Sequence, residues 1–148
     1  MIYKSLAALA LLVAPAMASA DPVTVLNAPI SAHAASPGNR ADVRLVIGPY
    51  HTRAVVFVTA WGESNYQGPS ANAGILVSIR VGDSPLARDD SFDSRSSNIT
   101  YRAAASHNFV LPAGQRITVW SSTEPYGSQS AANNNTQVTM TLIALAAQ

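Results

Sequence analysis

The chain contains no cysteine. That removes thiolate zinc sites, cysteine nucleophiles and disulfide staples together, so stability has to come from a packed core or from oligomerisation. Lysine is nearly missing as well: Lys4 is the only one in 148 residues. Beyond residue 20 arginine is the only full cation, and there eight arginines face eight carboxylates. A domain so close to neutral has no overall field to gather nucleic acid or an anionic membrane. Aromatic residues make up 7% and charged residues 11% of the chain, so any grouping of the two stands out against a sparse background. A helical period is absent after residue 20. So are the P-loop, the dinucleotide fingerprint and the G-x-S-x-G elbow, since Gly68-Pro69-Ser70-Ala71-Asn72 lacks the final glycine.

The N-terminus carries a long apolar run. Lys4 precedes an apolar segment from Leu6 to about Ala16, and Ala18-Ser19-Ala20 supplies the small residues of an A-x-A cleavage site. Residues 1–20 therefore read as a secretory signal peptide, too short to span a bilayer as a helix, with cleavage before Asp21. The expected product is secreted or periplasmic and has no membrane span. Residues 21–148, about 128 in all, suit a single domain that buries roughly two thirds of its unfolded surface.

The rest of the chain has a period of two. Val43, Leu45 and Ile47 alternate with Asp42 and Arg44. Ile75, Val77, Ile79 and Val81 alternate with Ser78 and Arg80. Val138, Met140, Leu142 and Ala144 make a closing strand. Val23–Asn27 and Ile99–Ala103 are shorter candidates. Ser106–Ser121 reads as a hairpin, with Phe109 and Leu111 on one strand, Ile117 and Val119 on the other, and Pro112-Ala113-Gly114 as the turn. Ala54–Trp61 is apolar on both faces (Val55, Phe57 and Trp61 against Val56, Val58 and Ala60), which predicts the most buried, central strand. Residues 28–40, 62–73, 82–97 and 122–135 read as loops. About eight strands and no helix predict an all-β, antiparallel β-sandwich of jelly-roll or Greek-key type. Its expected core is Val56, Phe57, Val58, Ile75, Val77, Ile79, Phe109, Leu111, Ile117, Val119, Met140 and Leu142. Phe57→Ala is then expected to cost about 3–5 kcal/mol.

Two strand ends concentrate the chemistry. Trp61-Gly62-Glu63-Ser64-Asn65-Tyr66 and Trp120-Ser121-Ser122-Thr123-Glu124-Pro125-Tyr126 each run tryptophan, carboxylate, tyrosine. Sugars stack on aromatic rings and hydrogen-bond to amides and carboxylates, so Glu63, Asn65, Tyr66, Trp120, Glu124 and Tyr126 are candidate ligand-binding residues. They would share one shallow groove if both segments leave the sandwich at the same end. A sharper reading makes Glu63 and Glu124 the acid and base of a glycosidase, which needs carboxyls about 5–10 Å apart. Asp89, Asp90 and Asp93 form a candidate Ca²⁺ site, although the run lacks EF-hand spacing and Arg88 and Arg95 flank it. Arg44, Arg80, Arg102 and Arg116 each fall opposite their strand's apolar set, as a solvated face or as a surface for carboxylates. His33, His51 and His107 have no ligand spacing.

From Ser106 through Leu145, the run F-V-L-P-A-G-Q-R-I-T-V, a polar segment and a final alternating strand resemble the closing strands of C1q/TNF-type and phage tail-tip jelly rolls. The resemblance covers about a quarter of the chain. It permits a homo-oligomer, a trimer included, and carries no site residue. The function these features predict is a non-catalytic binding or surface-structural module whose partner is a glycan or cell-envelope polysaccharide, with no nucleic acid. The alternatives are a small secreted glycan hydrolase and a fimbria-like or matrix subunit, which would need a missing strand filled by a segment such as Val23–Ile30 of another copy.

Overall fold

The computed structural model describes residues 23–37, 40–67, 71–82, 84–96, 98–127 and 134–147, with backbone alone for 71, 72, 86, 90–96, 127 and 134. The expected signal peptide lies outside the described residues. The strands are β1 (Val25–Ser36), β2 (Ala41–Ile47), β3 (Ala54–Tyr66), β4 (Ala71–Val81), β5 (Ser84–Ser96), β6 (Ile99–Leu111), β7 (Ile117–Gly127) and β8 (Asn134–Ala146). They form two antiparallel sheets: a first, ordered β1-β8-β3-β6, and a second, ordered β2-β7-β4-β5. The pairs β1·β8, β2·β7, β3·β6 and β4·β5 are the rungs of one long hairpin. Rolled so that β8 also meets β3 and β7 also meets β4, that ribbon is a jelly roll.

Alternation explains the core. The inward residues Val56 and Val58 of β3, Ile75, Val77 and Ile79 of β4, and Val138, Met140, Leu142 and Ala144 of β8 are each at most 1% exposed. Leu111 and Val119 join them, while Phe109 and Ile117 are only partly buried against the core. Phe57 departs from expectation. It is 41% exposed, because β3 is central within its sheet but its second face is the sandwich exterior. A strand apolar on both faces is buried on both only where another layer covers each side. Phe57→Ala is accordingly expected to cost about 1 kcal/mol rather than a core phenylalanine's ~3–5.

Strands run through most of the segments expected as loops. Residues 28–36 belong to β1. Pro29 is tolerated because β1 is an edge strand and Pro29 falls at a register irregularity between Asn27 and Ile30. Residues 62–66 continue β3, residues 122–127 continue β7, and residues 84–96 are β5, a second edge. The expected hairpin is also corrected. β6 pairs with β3, whereas β7 pairs with β2 and β4, so Pro112–Gly114 carries the chain from one sheet to the other. The turn itself forms as expected. Gly114 takes φ 75°, and its N–H donates to the Tyr50 carbonyl at 2.8 Å.

At one place the sheets come close enough to exclude a side chain. Gly62 points inward from β3, and a Cβ there would collide with Thr123 Oγ1 and Val77 Cγ2 of the second sheet. This part of the core is polar. Ser64 and Thr136 share a hydrogen bond at 3.2 Å. The buried hydroxyls of Thr123 and Tyr101 have no hydrogen-bond partner among the described residues. The register also sets the ends. Tyr66 lies opposite both Ile99 and Asn134, and Ala73 lies opposite Gly127. The strand ends flanking 67–70 and 128–133 therefore share one end of the sandwich.

Candidate functional site

That shared end does not bring the six expected ligand residues together, because β alternation sends them to three surfaces. Glu63 and Asn65 lie on the outer face of the first sheet. Tyr66 points inward and is 2% exposed, so it is a core residue and no part of a groove. Trp120, Glu124 and Tyr126 alternate with the inward Val119, Ser121 and Thr123, and lie on the outer face of the second sheet. The proposed hydrolytic pair fails for the same reason. Glu63 and Glu124 point away from each other across two sheets, which stack about 10 Å apart before either side chain is counted. Each also has its own partners. Arg102 Nε and Gln137 Nε2 donate to Glu63, both at 2.8 Å, and Arg40 pairs with Glu124 at 2.6 Å.

The acidic segment is an extended edge strand rather than a loop. Asp89 and Asp93 lie opposite Val77 and Ala73, and Asp90 lies opposite Leu76. Asp89 accepts the Ala104 N–H of β6 at 3.0 Å, tying the edges of the two sheets together. The side chains of Asp90 and Asp93 lie outside what is described. Among the described residues no cluster of three or more His, Asp or Glu forms a metal site.

The outer face of the first sheet carries a site that the sequence reading missed. Phe57, Thr59 and Trp61 are successive outward residues of β3. Their rows across the sheet are Ile143–Phe57–Asn108, Thr141–Thr59–Ser106 and Thr139–Trp61–Ala104. Small residues flank Thr59, so the two rings, about 13 Å apart along the strand, stand above a floor of hydroxyls. Two open depressions follow. One, of about 230 Å³, is lined by Thr59, Trp61, Ser106, Thr139 and Thr141 among others. The other, of about 280 Å³, is lined by Phe57, Thr59, Ser106 and Asn108 among others. They share Thr59 and Ser106 and so form one trough. Its floor is held in register by Ser31–Thr141 at 2.8 Å and His33 Nδ1–Thr139 at 3.0 Å. Glu63 with Arg102 and Gln137 forms the next row beyond Trp61, and Asn65 the row after.

Trp61 is 38% exposed and offers an aromatic face. Trp120 differs: the Arg44 guanidinium lies over its ring, 5.6 Å from the centroid. The trough can therefore stack a ring and hydrogen-bond its substituents. The signal for it was Thr59, the polar residue that interrupts Val55, Phe57 and Trp61. A hydroxyl at that position fits an outer face better than a second core.

Among the described residues no helix is long and apolar enough to cross a membrane. No protein-family model matches the chain, and no curated protein matches it. Among solved structures, a chain of the T13 viral particle of IBDV is similar over 94% of this chain, at 12% identity and a TM-score of 0.33. This chain spans 39% of that one. A likeness at that TM-score carries no argument.

Proposed function

We propose that this protein is a secreted or periplasmic, non-catalytic binding module that holds carbohydrate in the trough between Phe57 and Trp61. One observation carries the reading: two half-exposed aromatic rings on one strand stand at either end of a floor made of Thr59, Ser106, Thr139 and Thr141. A sugar presents C–H faces to aromatic rings and hydroxyls to hydroxyls, so the pattern suits it better than a purely apolar ligand. An open trough covers little of its ligand, so affinity is expected to be modest. The export part of the reading rests on the sequence pattern of residues 1–20.

The test is a glycan array on the purified protein, followed by titration of any hit against Trp61→Ala. Binding should disappear, while Tm moves by less than about 2 °C, as for a surface substitution. Retained binding in Trp61→Ala removes the trough from consideration. A second reading, a matrix or fimbria-like subunit, is favoured by Val25, Phe57, Trp61 and Val110 being exposed on this same face, which suits contact with another copy. It does not need strand donation, since β1 already pairs with β8 of its own chain. A concentration-dependent mass that collapses in Trp61→Ala, with no glycan hit, would select it.

A further inference from the structure

The opposite face of the sandwich has a different chemistry. Across the second sheet, Arg44, Trp120 and Arg80 form one row. The next row is Asp42, Ser122, Ser78 and Arg88. We propose that this face is a separate binding site for a carboxylate-bearing polysaccharide, held by Arg44, Arg80 and Arg88 around Trp120.

The first support is the distribution of charge. Both carboxylates whose side chains are described on this face are taken by a single arginine. Arg40 Nε donates to Asp42 at 2.7 Å, and Arg40 pairs with Glu124 at 2.6 Å. Arg44, Arg80 and Arg88 form no ion pair among the described residues. Asp90 holds the register position opposite Leu76, two rows from Trp120. Arg80 and Arg88 lie on the neighbouring strands β4 and β5, where like charges repel and an anion across them relieves the repulsion.

Geometry narrows the ligand. Arg44 and Arg80 are two strand spacings apart, about 10 Å, on an open surface. A small anion reaches one of them, whereas a polymer with repeated carboxylates reaches several at once. The guanidinium fork matches a carboxylate bidentately. Ser78, half-buried between the charges, shares a hydrogen bond at 2.8 Å with the buried Ser122, and the partly exposed Trp120 adds apolar surface. Carboxylates interleaved with hydroxyls on a partly apolar ring describe a polyuronate. Nucleic acid fits less well. The Arg44 guanidinium already occupies a face of the Trp120 ring, leaving less platform for stacked bases.

This site shares no residue with the Phe57–Trp61 trough, so the two stand or fall separately. The experiment is a binding titration of the protein with polygalacturonate, fully methyl-esterified polygalacturonate, poly-glutamate and single-stranded oligothymidylate at low salt. Polygalacturonate should bind and weaken as salt rises, and its methyl ester should not bind. The double variant Arg44→Gln/Arg80→Gln should lose at least about tenfold in affinity, the scale of one charge-assisted contact. Arg44→Lys/Arg80→Lys, which keeps charge and loses the fork, should fall between that variant and the parent. Trp61→Ala should bind polygalacturonate as the parent does. Unchanged affinity in the glutamine variant, parental affinity in the lysine variant or equal binding of the ester overturns the proposal. So does poly-glutamate or oligothymidylate binding as tightly as polygalacturonate.

Discussion

Thr123 shows what a single residue does in a tight core. Its hydroxyl is fully buried, has no hydrogen-bond partner among the described residues and lies against Gly62. An unsatisfied buried hydroxyl costs more than a methyl of the same shape. Thr123→Val is therefore expected to stabilise by about 1 kcal/mol, seen in calorimetry as a Tm higher by about 3–5 °C. Tyr50 offers a pH test. Burial raises its phenol above the ordinary 10.0, with a smaller opposing pull from the backbone at Gly48, and its hydroxyl donates to Asn27 Oδ1 at 2.7 Å. Above the ordinary pKa the unfolded chain has lost a proton that the folded chain keeps. The contribution is thus complete below about pH 10 and declines as pH rises through the folded value. In melts from about pH 8 to pH 11, Tyr50→Phe should show the shallower alkaline decline. Single residues were legible where a strand's parity was legible. Trp120 reads correctly as outward from Val119. Tyr66 does not, because a segment taken for a loop has no parity; extending the alternation of β3 by five residues would have put it with Val56 and Val58.

At the scale of elements, β3 and β5 are the instructive strands. Gly62 lets the second sheet approach β3, and the atoms a Cβ would strike belong to two buried, β-branched side chains that cannot swing away. Gly62→Ala is expected to destabilise by about 1–3 kcal/mol, read from the urea midpoint. Its m-value should stay unchanged if the fold does. The strands with strong alternation (β2, β4 and β8) were plain in the sequence. β5 and β1 beyond Asn27 were not, for a physical reason: edge strands tolerate proline, polar residues and small residues, so their composition can resemble a loop, although β2, also an edge, kept its alternation. The trough was hidden by the opposite effect. Phe57 and Trp61 suggest burial by hydrophobicity alone, and Thr59 between them is the one residue of the row that marks it as an outer face.

For the whole molecule, the expected processing makes a simple prediction. Intact mass of protein recovered from periplasm or culture medium should correspond to a chain starting at Asp21; a full-length mass confined to membranes would contradict it. The rolled-hairpin order has a further consequence, for timing. β8 is the latest of the eight strands in chain order, yet it lies between β1 and β3 rather than at an edge. Until residues 134–146 are available, β1 has no neighbour within its sheet and β3 is open along one side. Pairings so distant along the chain form slowly. A nascent chain therefore has no stable stopping point within this fold before residue 134. Chains cut before residue 134 should stay protease-sensitive throughout, with no resistant fragment to mark an early-folding half.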